Sequence, residues 1–126
     1  MRLRDILVHL VATGPGRTRM ALAADLARRH EAHLTGLFVV DIALPVIAAG
    51  DGGGAAALAE LIDRMREDAL AAAATVEAAF REQLRRDGLA GEWRLAEGAA
   101  PALVTVHARY ADLAVLGQED PDSDQP

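Results

Sequence analysis

Cysteine and lysine are absent, and serine occurs once, at Ser123. Without cysteine there is no disulfide, no thiol nucleophile and no thiolate metal ligand. Without lysine there is no amine nucleophile and no Walker-type phosphate lysine; all 13 basic residues are arginine. The lone serine lies among acids near the end of the sequence, which leaves nucleophilic catalysis poorly supplied. No apolar run reaches the roughly 18 residues that span a bilayer, so no membrane role is expected. The opening MRLRDILVHL is interrupted by Asp5 and lacks a small-residue cleavage site, so it reads as mature protein and the default location is cytoplasmic. A net charge of −6 argues against a general nucleic-acid surface, and no nucleic-acid partner is expected. No internal repeat is visible, and 126 residues suit one hydrophobic core.

What is present alternates strand and helix. Ile6 to Val11 is a short apolar run, followed by the turn-rich ATGPGRT and a helical pattern from about Arg17 to His30. Met20, Ala23, Ala24, Leu26 and Ala27 share one face of that helix. Leu34 to Val40 reads as a strand. A loop with Pro45 and GDGGG runs from Ile42 to Gly54, and a long amphipathic helix follows from Ala55 to Asp87, stopped by Gly88. In it Leu61, Met65 and Val76 are expected to pack on the sheet, against residues such as Leu7 and Val39. Glu92 to Glu97 alternates like a half-exposed edge strand. GAAPALVTVHARYA reads as a short helix with Pro101 in its first turn, and Ala111 to Leu116 as the last strand. This β-α-β-α-β-α-β order predicts an α/β fold, an open parallel sheet with helices on both faces. Ligands of such sheets bind beyond the carboxyl ends of strands, which selects Val11, Ala12, Thr13, Val40, Asp41, Gly117 and Gln118.

Within that frame Gly14-Pro15-Gly16-Arg17-Thr18 is the best anion cradle, a strand-to-helix turn with a helix dipole behind it. It also suits a plain tight turn. His9, His30, His33 and His107 have no metal-ligand spacing, so no metal is expected. His30 should interact with the carbonyl end of its helix. Asp5, Asp41 and Asp112 sit at strand boundaries, where a carboxylate ordinarily accepts from backbone N–H groups. Trp93 and Phe80 fit the core. No catalytic constellation emerges.

RDILVHLV, ALAADLARRHEAHLTGLFVV and GAAPALVTVHARYADLAVLG, in this order and spacing, resemble a universal stress protein (UspA-like) domain over residues 3 to 118. The resemblance implies a Rossmann-like sheet of order 3-2-1-4-5 and stress-linked cytoplasmic proteins, often dimeric, some of which bind ATP or AMP. It places the domain at 1–118 and leaves 119–126 as an acidic tail or truncated linker. No apolar run supplies a fifth strand, so the expected order here is 3-2-1-4. The chain is then either the front part of a longer, tandem protein or a short domain. Nucleotide-binding members carry an aspartate where this sequence has Val11. Gly117 matches the first glycine of their phosphate loop, Asp120 stands at the second, and the third would lie beyond Pro126. Val40 keeps the position whose backbone faces an adenine.

Three readings follow. The first is a homo-oligomeric domain, a dimer or larger, that acts by association with nucleotide binding weakened or lost and no resident cofactor. The second is an ATP- or AMP-binding domain with at most slow hydrolysis, using Thr13, Val40, Gly117 and the first helix. The third, an enzyme of another nucleotide-handling family, lacks lysine and a signature histidine pair.

Overall fold

The computed structural model describes residues 3–42 and 53–117. Four strands, β1 (Asp5–Leu10), β2 (His33–Val40), β3 (Gly91–Glu97) and β4 (Leu113–Val115), alternate with α1 (Gly14–His30), α2 (Gly53–Asp87) and α3 (Ala100–Ala108). The sheet order is β3-β2-β1-β4 and every pairing is parallel, as expected for a UspA-type Rossmann-like fold. Most of the loop expected over 42–54, together with Gln118 and the acidic tail, lies outside the described residues.

The pleat divides the core. Ile6, Val8 and Leu10 of β1 and Leu34 of β2 pack with Met20, Ala23, Ala24 and Ala27 of α1 and with Phe80 and Leu84 of α2. The run of alanines lets α1 lie close to the strands. On the opposite face Leu7 and Leu37 meet Val104 of α3, with Val39, Ala96 and Ala114 around them. Leu7 and Val39 therefore face α3 and not α2, contrary to the sequence expectation. Both strands are apolar on both faces, so alternation carries no sign of which helix each residue meets.

Leu61 also departs from expectation: it is 41% exposed. The reason is length. A 35-residue helix extends roughly 50 Å, whereas strands of 6 to 8 residues reach roughly 20–27 Å, so α2 overshoots the sheet. Its packing face starts at Ala69 and Leu70 and runs through Ala73 and Val76 to Phe80 and Leu84. Val76 packs as expected, and Met65 is half-buried. Trp93 lies with its ring 6.1 Å from Phe38 and 6.0 Å from Phe80, a core role as anticipated. α2 ends at Gly88, whose φ of 62° is the left-handed conformation that glycine adopts without penalty.

Candidate functional site

α1 begins three residues earlier than the sequence suggested. Gly14, Pro15 and Gly16 form its first turn, a place where proline's missing N–H and fixed φ do no harm. Gly16 is buried, and a Cβ there would land on the Val11 carbonyl oxygen, so glycine is needed for α1 to leave β1 this tightly. The same geometry leaves the anion cradle with the Gly14 N–H as its free donor. Pro15 has no N–H, and the Gly16 N–H already donates to the Thr13 carbonyl at 2.9 Å. Thr13 occupies the N-cap position, yet its hydroxyl makes no capping bond.

Val11, Ala12 and Thr13 line a small cavity of about 80 Å³ with Gly16, Arg17 and Met20, closed by Thr75, Val76 and Ala79 of α2. Val40 lines a different cleft of about 410 Å³, with Asp41, Ile42, Glu97, Gly98 and Ala99. Its carbonyl accepts the Gly98 N–H at 3.0 Å. The two carboxylates of this cleft are committed: Asp41 accepts the Ala100 N–H at 2.9 Å, and Glu97 receives Arg66 at 2.7 Å. That hydrogen bond holds the Glu97 carboxyl below its ordinary range. Gly117 lines neither cavity. The candidate residues share one end of the sheet without forming one pocket, and Gln118 is outside the described residues.

Arg17 lines the small cavity, and Arg19, two residues on, reaches His9 and Gly117 instead. Its Nη1 donates to the His9 carbonyl at 2.9 Å, and its guanidinium lies where a Cβ on Gly117 would be. Gly117 does not have the positive φ of a glycine-dependent loop. A Cβ at Gly117 would meet only the flexible end of Arg19, so this close approach favours glycine without requiring it.

Elsewhere the boundary aspartates divide: Asp41 and Asp112 accept from backbone N–H groups as expected, and Asp5 does not. Asp112 accepts from the Arg4 and Asp5 N–H groups at 2.7 and 3.1 Å, which holds its carboxyl low. Asp5 shows no such cap and faces His33 at 3.8 Å. His30 sits in the last turn of α1, and its Nδ1 accepts the Leu3 N–H at 3.2 Å, tying in the start of the chain. Among the described residues no group of three or more His, Asp or Glu could hold a metal ion, and no helix is long and apolar enough to cross a membrane.

His9 gives a pH expectation. Burial first, and then the Arg19 charge, lowers its imidazole from the ordinary value. The unfolded chain then binds the proton more readily than the folded one. Stability from a neutral His9 is complete above about pH 6.5 and drains as pH falls toward the folded value. Urea unfolding at pH 7.5 and 5.5 should show a larger loss for the native chain than for His9→Gln. Equal losses would reject the assignment.

No family model matches the chain, and no curated protein matches it. Solved structures do. The fold and the layout of its carboxyl end are those of a Rossmann-like α/β domain. Universal stress protein UspA from Lactobacillus plantarum shares it at TM-score 0.71 and 23% identity, over 99% of this chain and 83% of that one. A protein from the universal stress protein family from Burkholderia pseudomallei follows at 0.67 and 26%, over 90% and 80%. A universal stress protein in complex with cAMP matches at 0.54 and 15%, over 90% and 71%. The chain has the fold of these universal stress protein structures.

Proposed function

We propose that this domain serves a stress response in the cytoplasm mainly by associating with a second copy of itself, with nucleotide binding weakened or lost. The observation that carries the reading is β4. Among the described residues it pairs on one side only, with β1, and its Leu113, Ala114 and Val115 bear no charge. The other outer strand, β3, presents Glu92, Arg94 and Glu97, side chains that discourage edge pairing. Leu116 follows β4 and is half exposed.

The carboxyl end of the sheet supports the second half of the proposal. The first turn of α1 keeps Gly14 as its remaining N–H donor, Arg19 is committed against His9 and Gly117, and the candidate contacts are split between cavities. A neighbour of this fold is described in complex with cAMP; an adenine-nucleotide site using Thr13, Val40, Gly117 and the first helix, with slow hydrolysis at most, is the second reading.

Sedimentation over a tenfold range at micromolar concentration should show a dimer or larger species, and a clean monomer would sink the association. Calorimetric titration with ATP and ADP, with and without magnesium, should give dissociation constants above about 100 μM, near −5.5 kcal/mol. Low-micromolar binding would install the second reading.

A further inference from the structure

The amino ends of the strands, opposite the cavities just described, hold a second concave site. A cleft of about 390 Å³ opens there beneath the last turn of α3, within the size range of small-molecule sites. A strand covered on both faces is ordinarily apolar throughout, and farther along this same face Leu7, Leu37, Val39 and Ala96 are. At the amino end the face changes to Asp5, His33, Thr35, Glu92 and Arg94, with His107 of α3 above them.

Thr35 is the one polar residue among the buried residues described, at 7% exposure, and its hydroxyl has no hydrogen-bond partner among the described residues. No buried side-chain atom is both sealed and unpaired, so that hydroxyl opens into the cleft. It lies beside Leu7 on one side and Glu92 on the other in the strand register. Around it the charges are sorted. Arg94 donates to Glu92 at 3.0 Å, and its other terminal nitrogen lies 3.3 Å from His107 Nδ1. A guanidinium can only donate, so Nδ1 accepts and the His107 proton sits on Nε2. Toward the rim, Asp5 and Glu92 flank His33 at 3.8 and 3.9 Å, too far for hydrogen bonds. Apart from the histidines the cluster carries one arginine against two carboxylates.

We propose that this cleft binds a small amino-carboxylic zwitterion, with a basic amino acid the best match to its charge. The ligand carboxylate is taken by Arg94 and the Thr35 hydroxyl, and ammonium groups by Asp5 and Glu92. Tyr110, 86% exposed at the mouth, covers the aliphatic stem. The site is independent of the nucleotide and self-association readings because it uses the other end of the sheet.

Three probes separate the chemistry: L-lysine, cadaverine, which lacks the carboxylate, and hexanoate, which lacks the amines. In ¹H–¹⁵N correlation spectra L-lysine should shift the amides around Thr35, Arg94 and His107 with a dissociation constant near or below about 1 mM. Cadaverine and hexanoate should bind at least about tenfold more weakly. Arg94→Gln should weaken lysine by about tenfold, the loss of a charge-assisted pair. Thr35→Val, nearly isosteric, should weaken it severalfold while leaving the rest of the spectrum in place. No localised shift at about 20 mM lysine, ten or more times the expected constant, would overturn the proposal. So would cadaverine or hexanoate equal to lysine, or lysine binding unchanged in Thr35→Val.

Discussion

Phe80→Ala is expected to destabilise the domain by about 3–5 kcal/mol, the range for a buried phenylalanine reduced to alanine. Phe80 is fully buried. Its ring bridges α2 to the centre of the sheet, packed with Ile6, Val8 and Leu34 and tilted 47° against Trp93. It rests directly on the backbone of Gly36, where a Cβ would press into three ring carbons. The two positions fit as a pair: a glycine in β2 makes room for an aromatic ring on the helix above it. The cavity left by alanine cannot close without moving α2, which is held at its far end by Leu84 and Trp93. A folded domain has a total stability of only about 5–15 kcal/mol, so this one change removes a large part of it. Leu61→Ala is the control, with an expected change within about 0.5 kcal/mol. Urea unfolding checks both. A loss below about 1 kcal/mol for Phe80→Ala, or a larger loss for Leu61→Ala, would mean that α2 meets the sheet through its other half.

The sequence and the structure agree where one local signal suffices. The order of elements, the buried stripe of α1 and the alternation of Trp93 and Arg94 in β3 follow from periodicity and turn residues, and the sheet order 3-2-1-4 from the resemblance to a universal stress protein domain. The differences arise where the answer depends on a neighbour. Leu61 continues the apolar spacing of α2, and nothing in that spacing says that the sheet ends before reaching it. Leu7 and Val39 lie in runs apolar on both faces, so the facing helix is set by the handedness of the crossovers. Arg19 was hidden because its place is set by contact with His9 and Gly117, which no spacing within α1 encodes. The amino-end cleft was illegible for another reason. Asp5, His33, Glu92 and His107 come from four elements spread over about a hundred residues, and only the parallel register brings the strand residues into adjacent rows.

Gly16→Val should be the second severe substitution, with an expected loss of about 1–3 kcal/mol or more from overpacking. The added Cβ would collide with the carbonyl oxygen of Val11, and with its carbonyl carbon and Cγ2 close behind. Two of these three atoms are backbone, so no rotamer change relieves the contact. Moving Val11 is opposed from the strand side, where Arg19 grips the His9 carbonyl. Moving α1 outward would open the packing of Met20 and Ala23 on β1. A β-branched side chain also adds χ1 restriction in a helix. Gly14 is the internal comparison. It belongs to the same helical turn, but a Cβ there meets nothing within 4 Å and its φ is not positive. Gly14→Ala should therefore be neutral or stabilising by about 0.4–1 kcal/mol, because it narrows the unfolded ensemble. The pair separates the two meanings of the GPG sequence. If these glycines existed to admit an anion to bare backbone, both substitutions would act mainly on ligand binding and leave unfolding nearly unchanged. If Gly16 is there for the contact of α1 with the end of β1, the thermal midpoint falls for Gly16→Val and holds or rises for Gly14→Ala, with no ligand present. Equal midpoints for the two variants would return the turn to the anion-cradle reading.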